Sequence, residues 1–293
     1  IQTSLVGSEM CIRDRSQATI AVVTPSRYAK LKLEGTLMLV LYHGANSVCS
    51  VKVRIVLAEK DLQWDGRHID LPKGEHLRPD YLEINPRAVV PVLEHNGALI
   101  RESTVICEYL NGLNDSPQLV PSTFLEQARM RVWGINTLEY HDSVNTLTFS
   151  SYQRSMLLAK PAEELAARWE AMPDKIRVRK TLDLMEHGAE SIFVPVAFKK
   201  LQRMCIEMEE ALAEHEWLLG PDYSLADAML TAYFFRIHCL GMQAIWESRF
   251  PRVSAWVERV TARPSWDAAT APWLDAAEIG RISAIGRETF TKE

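Results

Sequence analysis

Residues 46–54 read NSVCSVKVR and place two hydroxyls and a thiol, Ser47, Cys49 and Ser50, where an apolar segment of helical spacing begins. A helix N-terminus offers free N–H groups and the positive end of the helix dipole, so it stabilises a nearby thiolate or other anion. Serines at such positions also act as caps, and a cysteine on the apolar side of a helix start also serves as a small buried hydrophobe. Ser47, Cys49 and Ser50 are therefore the candidate catalytic groups, and the choice among them stays open.

Two further sites lie in INPRAVVPVLEHNGALIRES, residues 84–103. Pro91 stands inside an apolar run although proline donates no ladder hydrogen bond. A cis bond after Val90 would turn the chain and leave the Val90 N–H and C=O facing outward. That unpaired edge would hold an extended peptide by strand-like hydrogen bonds. A trans proline on an edge strand gives the same spacing. At Glu102-Ser103 a new helix begins, where free N–H groups attract a carboxylate and Glu102 accepts an ammonium, the two ends of an amino-acid zwitterion. The plainer alternatives are a capping Ser103 and a solvated Glu102.

The elements that must position these groups follow from periodicity. MLVLY from Met38 reads as a buried strand, SVKVRIVLAEK as a helix and RHIDL as an alternating strand; VVPVLE and ALIR read as a hairpin about Asn96-Gly97. STVICEYL from Ser103 reads as a helix with Val105, Ile106, Tyr109 and Leu110 on one face. Beyond NDSPQLVPS the strand signals stop. The spacing predicts a helix capped by Thr123 and Glu126, a second from Pro195 to about Leu219 ending at Gly220, and a third opened by Ser224 and Asp227 in YSLADAML. The expected organisation is an extension at 1–37 that is non-native or disordered, an α/β domain at 38–114, a linker at 115–122, an all-helical domain at 123–276 and a tail at 277–293.

Bulk composition narrows the function. The chain has 293 residues, 47% hydrophobic and 24% charged, with a net charge of −5, which argues against nucleic-acid binding. The basic run RVRK at 177–180 reads as a solvated helix face. The five cysteines form no CxxC pair and no zinc spacing, so we expect free thiols, a reducing cytoplasmic compartment and no metal. No stretch approaches the roughly 20 apolar residues that span a bilayer, and no membrane partner is expected.

In combination, VP before the hairpin, ES opening the next helix and YSLADAML in the helical part resemble the cytosolic glutathione transferases over about residues 38–275. The resemblance implies an α/β plus all-α fold: a thioredoxin-like βαβ-ββα domain with a mixed sheet, then a helical bundle. It implies glutathione as co-substrate, a homodimer, and detoxification-type attack on a small electrophile. By the same resemblance Pro91 is cis, Val90 binds the cysteinyl part of glutathione, and Glu102 and Ser103 bind its γ-glutamyl end. GANS and ESTVICEYL are similar to the bacterial β-etherase-like members, whose ungapped alignment favours Ser50 for the reactive position. Spacing after Tyr42 in other serine-type members favours Ser47. SVCS resembles the Ser-Ser-Cys element of zeta-type members with Val48 interposed. Val89 replaces a glutamine or lysine that holds the glycyl carboxylate in many relatives. His76 in KGEHLR resembles a theta-type histidine serving that end, or is an exposed loop residue.

The acceptor is expected between the domains, against Tyr140, His141, Phe149 and Tyr152, beneath the long stretch 150–195. A free thiol titrates near 8.5, and holding it ionised at neutral pH requires about 2.7 kcal/mol. One hydroxyl bond to the charged sulfur supplies about 1.5–3 kcal/mol, so a serine is sufficient. Two alternatives remain: a non-catalytic binding or scaffold protein of this fold, and a Cys49-based thiol transferase or reductase.

Overall fold

The computed structural model describes residues 38–290 except Ser116. The expectation for residues 1–37 lies outside the described residues. β1 (Leu39–His43) leads into α1 (Val48–Glu59), then β2 (Asp65–His68), α2 (Pro79–Ile84), β3 (Val92–His95), β4 (Ala98–Ile100) and α3 (Ser103–Asn111). The sheet order is β2-β1-β3-β4, with β1 parallel to β2 and the other pairs antiparallel. This mixed sheet is the thioredoxin-like arrangement. Asn96 and Gly97 both take positive φ, 50° and 87°, as a two-residue hairpin turn requires. β2 lies two residues earlier than the RHIDL expectation, because Val40–His43 pair with Asp65–His68 and the chain then turns at Asp70.

The all-helical part comprises α4 (Phe124–Ser150), α5 (Tyr152–Leu158), α6 (Ala162–Ala171), α7 (Lys175–His187), α8 (Phe193–Ala211), α9 (Leu225–Cys239), α10 (Ala244–Glu247), α11 (Pro251–Thr261), α12 (Pro264–Thr270) and α13 (Ala276–Phe290). α1 packs on α3 on one side and on α9 and α12 on the other, so it is buried nearly all round. That contact joins the two parts in one core. Thr123 caps α4 by accepting from the Glu126 N–H.

Two expectations about the helices are corrected. α8 stops at Ala211, well before Leu219: Trp217 and Gly220 form a short antiparallel bridge, and the Leu218 N–H donates to Asp227. Gly220, at φ 140°, belongs to that turn rather than to a helix end. The expected tail is instead the helix α13, which buries Ile282 and packs on α9. A Cβ at Gly286 would collide with the Leu240 carbonyl oxygen, so this close approach needs glycine. No helix among the described residues is long and apolar enough to cross a membrane.

The capping box at the start of α9 is fully formed. Asp227, completely buried, accepts from the Ser224 N–H and hydroxyl, from the Leu218 N–H and from Trp256 Nε1. It thereby ties α9 to α11 and to the loop after α8.

Candidate active site

The loop from β1 to α1 is pinned by two buried arginines. Arg54 donates to the Gly44, Ala45 and Ala269 carbonyls and reaches His43 Nδ1 at 3.1 Å. Arg236, from α9, holds the carbonyl and side-chain oxygens of Asn46. Fixed this way, Ser47 becomes the N-cap of α1 and accepts from the Ser50 N–H at 3.3 Å. Its hydroxyl donates no hydrogen bond among the described residues. Ser50 is corrected as a candidate for contact with a bound sulfur: it is fully buried, and its Oγ accepts from the Gly44 N–H.

Cys49 is placed differently from a buried hydrophobe. It lines a cavity of about 600 Å³, with its Sγ 3.5 Å from His141 Nδ1. Asn145 Nδ2 lies 2.8 Å from His141 Nε2, so with the amide assigned this way Nδ1 carries the proton that faces the sulfur. Burial of the thiol opposes ionisation, but His141, Lys52 and Ser103 outweigh it and bring Cys49 down to about 6. Lys52 is itself buried on α1, donating to the Thr104 and Thr137 hydroxyls and lying over the Tyr233 ring. No carboxylate among the described residues pairs with it.

The same cavity is walled by Val90, Pro91, Glu102 and Ser103. The Val90-Pro91 bond is cis. The loop before it is braced by Tyr81 and Asn85, whose side chains donate to the Val89 carbonyl at 2.8 and 2.7 Å. The Val90 N–H and C=O form no hydrogen bond among the described residues. Glu102 precedes α3 with φ 68° and ψ 108°, a conformation rare for a residue with a side chain and concentrated at functional sites. Its carboxylate pairs with Arg87.

A second, adjoining cavity shares Val89, Val90, His141 and Phe149 with the first. Ser47 and His76 open onto it. His76 is not an exposed loop residue: it is 6% exposed, and its Nδ1 has no partner. Burial and the charges of Arg168 and Arg177 lower its pKa to about 4, so it is neutral at physiological pH. Of the four expected acceptor residues, His141 and Phe149 reach the cleft. Tyr140 does not. It is fully buried on the core-facing side of α4 and donates to Glu207 on α8. Tyr152 lines neither cavity and donates to Glu278 on α13.

The stretch 150–195 does cover the cleft, through Arg168 and Trp169 on α6 and Arg177 on α7. Arg177 corrects the reading of RVRK as a solvated face, since it projects into both cavities. Lys52, Asn145, Arg168 and Arg236 were not singled out beforehand. For Lys52 a signal existed: a charged residue at a core-facing position of VKVRIV requires a reason.

A thioredoxin-like domain with a cis-proline edge, joined to a helical bundle across such a cleft, defines a glutathione-dependent enzyme fold. The family model for the glutathione S-transferase N-terminal domain matches residues 46–113, and that for the C-terminal domain matches 163–259. The chain belongs to the glutathione transferase family and is an enzyme of that class. It is 28% identical to the tetrachloro-p-hydroquinone reductive dehalogenase of Sphingobium chlorophenolicum, over 78% of this chain and 94% of that protein. It is 29% identical to glutathione S-transferase hmp2 of Hypomyces subiculosus, over 79% and 97%. The crystal structure of the β-etherase LigF from Sphingobium sp. strain SYK-6 superposes with a TM-score of 0.71 at 26% identity, covering 80% of this chain and 99% of that one.

Proposed function

We propose that this enzyme binds glutathione along the Val89–Pro91 edge, with the γ-glutamyl end at Glu102-Ser103 and the glycyl end towards His76. The sulfur then meets the start of α1, and its thiolate attacks a small aromatic electrophile held between His141, Phe149 and the α6–α7 segment. Cleavage of a β-aryl ether is the specific version, supported by the similarity to LigF. The observation that carries the reading is the juxtaposition of the unpaired Val90 edge, the Glu102-Ser103 helix start and α1 around one cavity. Ser47 would donate its hydroxyl proton to the thiolate, with no general base required. Residues 38–114 are read as the glutathione-binding domain, working as a homodimer in the reducing cytoplasm.

A second reading rests on the Cys49–His141 contact. The Cys49 thiolate would attack the glutathione sulfur of a mixed disulfide between glutathione and a small thiol, forming a Cys49–glutathione disulfide and releasing the small thiolate. A second glutathione thiolate then attacks that bond, regenerates the Cys49 thiolate and leaves as oxidised glutathione. The name of the dehalogenase relative agrees with reductive chemistry of this kind.

Initial rates for Ser47→Ala and Cys49→Ala separate the two. In the first reading Ser47→Ala loses about a hundredfold in kcat/KM for conjugation of a halonitroarene or cleavage of an aryl ether, on the scale of one lost donor to a developing anion. Cys49→Ala would lose only disulfide exchange. Loss of aryl transfer in Cys49→Ala, with Ser47→Ala unaffected, would assign the chemistry to the cysteine.

A further inference from the structure

The cavity onto which Ser47 opens carries four cationic side chains. Lys160, Arg168, Arg177 and Arg236 line it together with His141 and the neutral His76, and no aspartate or glutamate among the described residues does. Lys160 is paired with Glu164 outside the cavity. The three arginines form no ion pair among the described residues. Among the described residues Arg177 makes no side-chain hydrogen bond, and Arg168 one, to the Leu71 carbonyl at 3.2 Å. Arg236, 4% exposed, spends Nη2 on Asn46 while its Nη1 is buried with no hydrogen-bond partner among the described residues. His76 Nδ1 is likewise buried and unpartnered.

Arg168 and Arg177, which repel each other and have no carboxylate in ion-pair contact among the described residues, cost the empty protein free energy, and a bound anion relieves that cost. One anionic group of glutathione does not use the whole cluster. On the reading above, the γ-glutamyl end lies in the neighbouring cavity at Glu102-Ser103, and the glycyl carboxylate satisfies at most one bidentate arginine together with His76. Charge for the remaining guanidinium groups must come with the other substrate. Trp169, Phe149, Met156 and Met172 supply flat and apolar walls beside those charges.

We infer that the acceptor is an anionic arene, a ring carrying a carboxylate or phenolate, whose charge is held by Arg177 and Arg168 while its electrophilic carbon faces the thiolate near Ser47. This inference rests on the proposed transferase function and specifies its substrate class.

The test is calorimetric binding of 4-nitrobenzoate and of 4-nitrobenzamide to the full chain saturated with S-methylglutathione, which fills the peptide site without a thiolate. The acid is expected to bind at least tenfold more tightly than the amide. In Arg177→Gln, which breaks no hydrogen bond within the protein, the preference should fall below threefold while S-methylglutathione affinity stays within twofold. Equal binding of acid and amide to the wild-type chain overturns the inference. So does displacement of the acid by S-methylglutathione, or a variant that loses S-methylglutathione affinity yet keeps the acid preference, because the cluster would then serve the glycyl carboxylate. Failure of the wild-type chain to bind S-methylglutathione would count against the transferase function, and the acid–amide comparison on the free protein would still decide the charge preference.

Discussion

At the scale of single residues, the site turns on how a sulfur is kept ionised. For Cys49 the favourable contacts outweigh burial, so its thiolate should persist well below the free thiol range near 8.5. Iodoacetamide alkylation of Cys49, followed by mass spectrometry against pH, should show an apparent pKa shifted down, and His141→Ala should move it back up. An unshifted profile in the wild type would remove the imidazole from the account. This part of the site was only half legible in the sequence. Ser47, Cys49 and Ser50 were recognisable as a group because their types and spacing are local. Their ranking depended on which way each side chain leaves the first turn of α1, and on His141, 92 residues away. The same limit explains Tyr140: it shares a helix with His141, but a one-residue step rotates a helical side chain by about 100°, from the cleft into the core. Arg177 looked solvated because nothing local shows that α7 covers a cavity.

At the scale of elements, helix starts do most of the positioning. Those of α1 and α9 were readable, because caps are short-range and residue-specific, whereas α3 starts at Glu102 with no side-chain cap and was readable from its apolar face. The end of α8 was not, since its apolar spacing runs on past Ala211 and the turn is fixed by the Trp217–Gly220 bridge and the bond from Leu218 to Asp227. α13 escaped for a similar reason: its support comes from α9 and from the close approach at Gly286. Asp227 is the element-level test. Asp227→Ala leaves the Leu218 and Ser224 N–H groups and Trp256 Nε1 buried without their acceptor. Each orphaned donor costs about 1–3 kcal/mol, so a loss of about 3 kcal/mol or more is expected in urea unfolding. A loss under about 1 kcal/mol would mean the box is dispensable.

At the scale of the whole molecule, acid should weaken the fold. His43 and His76 are buried with pKa values lowered to about 3 and about 4, by burial first and neighbouring positive charge second. Below about 6.5 the unfolded chain binds protons that the folded one refuses, so stability falls as pH drops from 6.5 towards 4. The melting temperature should therefore be lower at pH 5 than at pH 7, and His76→Gln should flatten that dependence; an equal slope in the variant would contradict it. Val105 on α3 and Val132 and Ile135 on α4 are exposed apolar side chains. Such a patch suits a subunit interface, and sedimentation should show a dimer that Ile135→Glu weakens. The central claim concerns glutathione itself. Its most direct test is the ultraviolet thiolate absorbance of glutathione bound to the Cys49→Ala protein, titrated against pH. The account predicts tight binding and a thiol pKa well below the free value of about 8.5. Bound glutathione titrating like the free peptide, or no binding at all, would contradict it.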